Sequence, residues 1–217
     1  MLVDFDGTVA PDDPTDRLLE RFADPAWRDI EEAWQAGRIS SRDCMRRQVA
    51  LLRATPAELD QEIRKVRIDP GFHRFIGLCA RHGMDVTVVS DGFDRLVRAV
   101  LARERLALPF FANRLEWLGS EAWRLAFPHA RRDCLVGAGN CKCSHGARRR
   151  DGPCIVMGDG RSDFCMAVHA DFVIAKGSLA NFCRRRGLPH VSFANFEHAT
   201  QHLSRWLASS AAEAAAR

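Results

Sequence analysis

No stretch of the 217-residue sequence is apolar over a length that could span a membrane, and no basic segment leads into an apolar run of the signal-peptide type. These absences predict a cytoplasmic protein without a membrane partner. Cysteines in that compartment stay reduced, so the eight cysteines predict free thiols rather than a disulfide framework. No internal repeat is visible, and the length suits one core domain with a small accessory domain.

The sequence also lacks a nucleic-acid recognition element, although its formal net charge is +4. Much of the positive excess lies in two arginine triplets, at 148–150 and 184–186. No aromatic-interleaved basic element and no recognition-helix signature accompanies them. Short arginine runs at helix ends are usually solvated, so no nucleic-acid partner is predicted. The sequence carries no signal for an oligomeric state.

Paired cysteines of the Cys-x-x-Cys type, a common signature of a zinc site, are missing. Cys134, Cys141 and Cys143 would supply three soft ligands for tetrahedral Zn²⁺, and His129 or His145 would supply the fourth. Cys141 and Cys143, however, are separated by a single residue, which makes an awkward chelate. Idle thiols are therefore the preferred interpretation, with zinc as the alternative. The other five cysteines fall on predicted helices or strands and are interpreted as core residues: Cys44, Cys79, Cys154, Cys165 and Cys183.

Residues 10–70 contain no convincing strand and carry a succession of short amphipathic helices. Asp13 is a suitable N-cap for the first of them, with Pro14 at its first position. Thr55 and Glu58 form a capping-box pattern at the start of another. The sequence therefore predicts a small helical cap at residues 12–69, inserted into a core made of residues 1–11 and 70–217.

Apolar, β-branched runs alternate with helical segments in the rest of the chain. The clearest strands are 84–90, 154–157 and 172–175, and a helix is predicted after each. Residues 110–127 alternate in short pieces around Gly119 and Ser120, which predicts a hairpin. This order of elements predicts an α/β fold with a doubly wound parallel sheet. Only three residues precede Asp4, so the first strand is either short or preceded by further residues in the natural chain.

Polar residues end three of these strands: Asp4 and Asp6, Ser90 and Asp91, and Asp159. Ligands of open α/β sheets bind outside the carboxyl ends of the strands, so these side chains are expected to converge on one edge. Asp4 and Asp6 are two residues apart, a spacing that places both side chains on one face of a strand. Two carboxylates that close repel each other unless a cation or a proton lies between them.

This set of residues suits the cleavage of a phosphate ester. A carboxylate can attack phosphorus to form a covalent aspartyl-phosphate, and a divalent cation must then screen the two anions. Mg²⁺ prefers oxygen ligands, namely one or two carboxylates, a carbonyl and the phosphate. The transferred oxygens need a hydroxyl, backbone N–H groups and a fixed cation. Ser90 offers the hydroxyl, and Lys142, one of only three lysines, offers the cation.

The same residues resemble the motifs of the haloacid dehalogenase superfamily of aspartate-nucleophile phosphatases. The matching stretches, in the family's order, are Asp4-Phe5-Asp6-Gly7-Thr8, Val88-Val89-Ser90-Asp91-Gly92, Lys142 and Gly158-Asp159-Gly160-Arg161-Ser162-Asp163. The helical insert after the first stretch is similar to the cap of the phosphoserine-phosphatase-like branch. The resemblance implies a Rossmann-like core, Mg²⁺ as the cofactor and a small-molecule phosphate ester as the substrate.

The resemblance also implies roles for the individual residues. Asp4 would be the nucleophile, and Asp6 would be the general acid and then the general base. The metal ligands would be Asp4, the backbone carbonyl of Asp6, and Asp159. Asp163 would support the metal shell and the lysine. The phosphate-binding residues would be Ser90, Asp91, Gly92 and Lys142.

A closer resemblance covers essentially the whole chain. The segments 127–134, Cys141-Lys142-Cys143-Ser144 and 179–196 are similar to the methionine-salvage phosphatases that act on 2-hydroxy-3-keto-5-methylthiopentenyl-1-phosphate. That family has a longer helix after Lys142 than segment 144–147 allows here. Phosphoserine, phosphocholine and phosphoethanolamine are the alternative substrates, since the catalytic residues handle only phosphate. A non-catalytic relative would have lost Asp4, Asp6, Lys142 or Asp159, and all four are present.

Overall fold

The computed structural model describes residues 1–134, 136–146 and 152–215. The arginine triplet at 148–150 lies outside the described residues. Across the described part of the chain, no helix is both long enough and apolar enough to cross a membrane.

The described residues form one seven-stranded sheet. The strands are β1 Leu2–Asp4, β2 Thr87–Phe93, β3 Phe110–Gly119, β4 Ala122–Ala126, β5 Ile155–Gly158, β6 Phe172–Ala175 and β7 His190–Ser192. Their order across the sheet is β4-β3-β2-β1-β5-β6-β7. All neighbouring pairs are parallel except β3 and β4, which form the predicted hairpin. The predicted α/β fold class is confirmed.

Ten α-helices accompany the sheet in the described part of the chain. They are α1 Pro14–Phe22, α2 Trp27–Gln35, α3 Ser41–Ala50, α4 Pro56–Ile63, α5 Phe72–Arg81, α6 Asp94–Arg103, α7 Cys143–Gly146, α8 Phe164–Val168, α9 Gly177–Arg186 and α10 Phe196–Ala215. A single 3₁₀ turn, Arg161–Asp163, precedes α8.

β1 shows how helices cover the sheet, because successive residues of a strand point to opposite faces. Val3 belongs to an apolar cluster that contains Phe72 of α5 and Phe196 of α10, whose rings lie edge to face with centroids 4.8 Å apart. Leu2, its neighbour in sequence, belongs to a second cluster that contains Leu179 of α9. Both faces of β1 are therefore buried under helices, as a doubly wound sheet requires.

Helices α1 to α4 occupy the predicted cap range, and the predicted starts of α1 and α4 are confirmed. The Asp13 carboxylate accepts hydrogen bonds of 3.0 Å from the first two free N–H groups of α1. Thr55 and Glu58 form a reciprocal capping box at α4. The division into a cap at 12–69 and a core stays a prediction.

Hydrogen bonds connect the insert to the β3–β4 hairpin, and one ion pair connects it to α6. The indole Nε1 of Trp123 on β4 donates to the Ala54 carbonyl at 2.8 Å, and the Ala54 N–H donates to the Glu121 carbonyl at 3.2 Å. Arg95 of α6 holds both carboxylate oxygens of Asp60 on α4, at 2.7 and 2.6 Å. These contacts hold the insert against the edge hairpin and α6.

Both predicted ends of the second strand are wrong. The sequence predicts a strand at 84–90, whereas β2 begins at Thr87 and continues through Asp91 and Gly92, and α6 begins at Asp94. The Asp91 carboxylate is satisfied by tertiary donors from Ser41, Asn113 and the Asn140 N–H, so it has no need of a local turn. Strand β7 was not predicted.

Candidate active site

A cavity of about 460 Å³ lies between the helical insert and the carboxyl ends of β1, β2 and β5. The predicted convergence of polar residues on one edge of the sheet takes place here. Six of the predicted site residues line the cavity: Asp4, Asp6, Asp91, Gly92, Lys142 and Asp159. The other two, Ser90 and Asp163, are fully buried beneath it and are hydrogen-bonded to this set.

A buried lysine joins two of the carboxylates. The Nζ of Lys142 lies 2.6 Å from Asp4 Oδ1 and 2.6 Å from Asp163 Oδ1, and all three side chains are at most 5% exposed. Burial alone would lower the pKa of Lys142, but the charges of Asp163 and Asp4 raise it above its ordinary value. The lysine therefore stays cationic in a place from which water is excluded.

Asp4 experiences the opposite balance. Burial raises its pKa well above the ordinary value, and the negative charges of Asp163 and Asp159 add to this effect, whereas Lys142 opposes it. Asp4 faces one cation and two anions, while Lys142 faces two anions, so the pKa of each group rises for a different reason. The carboxylates of Asp4, Asp159 and Asp163 together carry more negative charge than the Lys142 ammonium can neutralise.

The carboxylates fit a magnesium ion. One oxygen each from Asp4, Asp159 and Asp163 lie within 4.8 Å of one another. Asp163 is already occupied, because its Oδ1 accepts from Lys142 and its Oδ2 accepts the N–H groups of Asp159 and Gly160 at 3.0 Å. Asp4 and Asp159 remain as a pair of oxygen donors, and burial followed by the charge of Asp163 raises the pKa of Asp159 as well. Buried oxygen donors that repel each other are a suitable site for a hard divalent cation.

Asp6 lines the cavity, but not for the reason that its spacing from Asp4 predicts. β1 ends at Asp4, and Asp6 lies in the turn that follows, so strand alternation does not explain why both side chains line the cavity. Its Oδ1 accepts a hydrogen bond from the Thr15 hydroxyl at 2.8 Å, and its Oδ2 accepts one from the Ser90 hydroxyl at 2.7 Å. Unlike Asp4, it has no cationic partner among the described hydrogen bonds and ion pairs.

Glycine is required in the same turn. Gly7 has φ +73°, and a Cβ built there would lie 2.6 Å from Asp159 Oδ2. The missing side chain lets the turn after β1 approach the carboxylate at the end of β5. Thr8, the next residue, donates its hydroxyl to Asp159 Oδ1 at 2.8 Å. The first and last motifs are thus joined by direct contact.

Ser90, Asp91 and Gly92 lie at the end of β2, and each makes different contacts in the site. The Ser90 hydroxyl accepts the Gly92 N–H at 2.8 Å. A Cβ on Gly92 would lie 2.6 Å from the Thr15 hydroxyl and 2.8 Å from Asp6, so only glycine fits there. The Asp91 carboxylate accepts hydrogen bonds from Ser41, Asn113 and Asn140, and the Asn113 amide also donates to the Asp91 carbonyl at 2.6 Å.

Sequence reasoning missed Thr8, Thr15 and Asn140, which hold Asp159, Asp6 and Asp91 respectively. Thr8 lies within the first motif, so its position was a signal for a role near the site. The other two come from α1 and from the loop before α7, and no local pattern distinguishes them from surface residues.

The insert supplies a wall with a negative charge. Asp16 of α1 and Glu31 of α2 both line the cavity, near Trp34 and Met45. Burial, the charge of Glu31 and then that of Asp6 raise the pKa of Asp16 to about 6. Counting all lining residues, seven carboxyl groups face two cationic groups, Lys142 and Arg161.

Comparisons with known proteins agree with this geometry. The family model of the haloacid dehalogenase-like hydrolases matches residues 1–167. A curated protein of Geobacillus kaustophilus named 2-hydroxy-3-keto-5-methylthiopentenyl-1-phosphate phosphatase is 34% identical over 215 residues, which cover 94% of this chain and 95% of the relative. A protein of the same name from Geobacillus thermodenitrificans is 31% identical, with the same two coverages.

Solved structures show the same fold. A substrate-bound phosphoserine phosphatase superimposes with a TM-score of 0.71 at 21% identity, covering 93% of this chain and 96% of that one. A phospho-aspartyl intermediate analogue of phosphoserine phosphatase gives a TM-score of 0.66 at 24% identity, covering 83% and 88%. With the matched family model and the two relatives above 30% identity, these findings establish that the chain belongs to the haloacid dehalogenase-like hydrolases and is a phosphatase.

Proposed function

We propose that this phosphatase hydrolyses small phosphate monoesters with Mg²⁺ bound at its site, through a phosphate ester of Asp4. The observation that carries the proposal is the position of Asp4. Its carboxylate lies between the Lys142 ammonium, 2.6 Å away, and the carboxylate of Asp159. A nucleophile, a fixed cation and a metal ligand thus meet at one point of the cavity.

In the first step, an Asp4 carboxylate oxygen attacks phosphorus, and the bond between phosphorus and the ester oxygen breaks. Lys142 contacts the equatorial phosphoryl oxygens, and Ser90 joins it when its hydroxyl turns away from Asp6. The same rotation frees the Gly92 N–H, which donates to Ser90 in the structure, so the backbone at Asp91 and Gly92 adds N–H donors. Asp163 holds the lysine in place by its 2.6 Å contact. Mg²⁺, when bound by Asp4, the Asp6 carbonyl and Asp159, supplies the positive charge that screens the two anions as they approach.

Asp6 moves the proton. In protonated form it gives its proton to the leaving ester oxygen, so that an alcohol departs. The resulting carboxylate then takes a proton from water, whose oxygen attacks phosphorus and releases Asp4 and inorganic phosphate. The Thr15 hydroxyl, 2.8 Å from Asp6 Oδ1, fixes the carboxyl group for both transfers.

The first candidate substrate is 2-hydroxy-3-keto-5-methylthiopentenyl-1-phosphate of methionine salvage. It is supported by the names of the two Geobacillus relatives, which match over nearly their whole length. Trp34 and Met45 line the cavity and offer apolar surface to a methylthio group. Both residues come from the range 12–69, which we propose acts as the cap that selects the substrate.

The mechanism is tested with Asp4→Asn, which keeps the shape of the side chain and removes the nucleophile. Turnover of an aryl phosphate is expected to vanish while the far-ultraviolet circular dichroism stays unchanged. Asp12→Asn, at a carboxylate that is 82% exposed, serves as the matched control and keeps full activity. Turnover of Asp4→Asn near the level of the parent protein would remove Asp4 from the mechanism.

The metal requirement is tested by exhaustive chelation followed by dialysis. Activity is expected to disappear and to return when Mg²⁺ is added back. Activity that survives chelation, with the metal content verified by elemental analysis, rules out the proposed role of Mg²⁺.

A second candidate is a phosphorylated amino alcohol, and the negative wall of the cavity favours it. Asp16 and Glu31 interact electrostatically and line the cavity together with Trp34. Two carboxylates beside an aromatic ring form a suitable site for an ammonium group. The phosphocholine and phosphoethanolamine alternatives carry such a group, whereas the methylthio substrate carries no positive charge.

A pair of isosteres separates the two candidates. Phosphocholine and 3,3-dimethylbutyl phosphate have nearly the same shape, but only the first carries a positive charge. If the wall selects a cation, kcat/KM favours phosphocholine, and Glu31→Gln reduces that preference. Equal kcat/KM for the two isosteres, with far higher kcat/KM for the methylthio substrate, decides for methionine salvage.

A further inference from the structure

Four thiols meet behind the active site, although they are far apart in sequence. One sulfur each from Cys134, Cys141 and Cys165 lie within 4.8 Å of one another. The sulfur of Cys143 lies 3.3 Å from that of Cys141. Cys165 lies close enough to Cys134 and Cys143 to lower the pKa of both thiols. All four cysteines are free thiols in the structure.

The separations suit a tetrahedral metal. A zinc ion with Zn–S bonds of about 2.3 Å places its sulfur ligands roughly 3.8 Å apart. The sulfurs of Cys134, Cys141 and Cys165 are at most about 1 Å farther apart than this, and the Cys141–Cys143 pair would open by about half an ångström. Rotation of the cysteine side chains accommodates such shifts.

The residues that lie together differ from the alternative zinc ligands predicted from the sequence. His129 and His145 were the candidates for a fourth ligand. His145 instead bonds Asn140 Oδ1 through Nε2 at 2.6 Å and stacks on Phe111 with ring centroids 4.0 Å apart. His129 packs edge-on against Phe111. The fourth ligand is a thiol, Cys165, which the sequence analysis interpreted as a core residue.

The surroundings give the cluster a path to solvent and a compensating charge. Cys141, Cys143 and Cys165 line a surface pocket together with Arg131 and His169. A zinc ion with four thiolates carries a net charge of −2, which the Arg131 guanidinium offsets only in part, because both carboxylate oxygens of Asp133 already accept from it at 2.9 Å. Sulfur-only tetrahedral sets favour Zn²⁺ over the hard cation Mg²⁺.

We propose that Cys134, Cys141, Cys143 and Cys165 bind one structural Zn²⁺ ion that holds Lys142 in place. Binding forms four Zn–S bonds and releases the protons of the thiols to solvent, with no change of oxidation state. The site is separate from the carboxylate site, and the proposal does not depend on the proposed substrate or mechanism.

The position of the ligands explains the effect on Lys142. Cys141 and Cys143 flank Lys142 in sequence, and Cys165 follows Asp163 by two residues. The metal therefore joins the loop that carries the ammonium to the helix next to its carboxylate partner. Among the described residues, the loop between β4 and β5 forms only one short helix, α7, so a metal is an effective way to fix it.

The first test measures bound metal. The reduced full-length protein is loaded with zinc, passed over a weak chelator and analysed by elemental mass spectrometry. About one zinc per chain is expected, and Cys165→Ser and Cys134→Ser are expected to lose it. Cys183→Ser, at a buried thiol of α9 outside the cluster, is the matched control and keeps its zinc.

A carboxylate variant locates the metal. Asp159→Asn is expected to retain zinc, because it alters only the magnesium site. Loss of zinc in Asp159→Asn with retention in Cys165→Ser would place the ion on the carboxylates and overturn the proposal. A wild-type protein that keeps no zinc after reduction and loading would overturn it as well.

Cobalt substitution tests the ligand set without any variant, so it remains informative if a serine variant fails to fold. Co²⁺ bound by four thiolates gives strong sulfur-to-metal charge-transfer bands and intense visible bands of a tetrahedral ion. Weak visible bands without charge transfer, as carboxylate and water ligands give, would contradict the proposal.

Discussion

Asp4→Asn and Lys142→Met break the same buried ion pair, yet we expect opposite effects on the free energy of unfolding of the metal-free protein. The pair joins Lys142 Nζ and Asp4 Oδ1 at 2.6 Å. The lysine has a second partner, Asp163, also at 2.6 Å, whereas Asp4 is repelled by both Asp163 and Asp159. The two changes therefore remove different sums of interactions.

The attraction and the repulsion that act on the charge of Asp4 nearly cancel. With an effective dielectric constant of about 20, its attraction to Lys142 amounts to roughly 6 kcal/mol. Repulsion from Asp159 and Asp163, each at most 4.8 Å away, amounts to at least roughly 7 kcal/mol, and burial disfavours the charge further. Neutralising Asp4 is thus expected to leave the free energy of unfolding within about 1 kcal/mol of the parent value, or to increase it, while activity is lost.

No comparable repulsion opposes the attraction of the Lys142 charge to its two carboxylate partners. Removing it deletes both attractions and leaves two buried carboxylates without a cation, which typically costs about 3–5 kcal/mol. The loss is expected to be larger at pH 8 than at pH 5, because burial raises the pKa of Asp4 well above its ordinary value and protonation of Asp4 relieves the repulsion at low pH. Lys65→Met, at a lysine that is 52% exposed, is the matched control and changes the free energy of unfolding by less than about 1 kcal/mol.

The assay is urea unfolding of chelator-treated protein, followed by circular dichroism at pH 5 and pH 8. Equal losses for Asp4→Asn and Lys142→Met would show that the ion pair itself, rather than the excess of negative charge, governs stability. A loss above about 3 kcal/mol for Asp4→Asn would refute the charge balance.

Three further changes have defined outcomes. Asp6→Asn is expected to reduce kcat by about 10²–10⁴-fold for substrates with poor leaving groups and far less for aryl phosphates, as steady-state kinetics would show. Gly92→Ala is expected to lower kcat/KM with a native dichroism spectrum, because its methyl group would lie 2.6 Å from the Thr15 hydroxyl. The pKa of Asp16 is raised from 3.8 to about 6, so the destabilisation that its charge causes in the folded protein develops between these two pH values and is complete above pH 6. Asp16→Asn is therefore expected to add about 1–2 kcal/mol to the free energy of unfolding at pH 8 and almost nothing at pH 4. Urea unfolding at the two pH values checks the last of these.

The convergence of Asp4, Ser90 and Asp159 could be predicted from sequence, because each follows an apolar run and the topology of parallel sheets brings such ends together. Local patterns were sufficient for that step. The same holds for the caps at Asp13 and Thr55, where the hydrogen bonds join residues no more than three positions apart.

Contacts between distant segments could not be predicted in this way. Asp91 remains in a strand because Asn113 and Asn140 satisfy its carboxylate, and these residues are 22 and 49 positions away in sequence. Thr15 contacts Asp6 only because the turn after β1 folds back on α1. Cys165 joins the thiol cluster from α8, and no spacing rule relates it to Cys141.

The location of β1 between β2 and β5 determines how readily this part of the protein opens to solvent. The backbone of Leu2 and Val3 is paired on both sides, with partners on β2 and on β5. Amide protons in such a strand exchange with solvent only when the whole fold opens, whereas those of surface loops exchange through local fluctuations. Asp4, at the end of this strand, is therefore fixed to the part of the molecule that is slowest to open, and local fluctuations of the surrounding loops do not displace it.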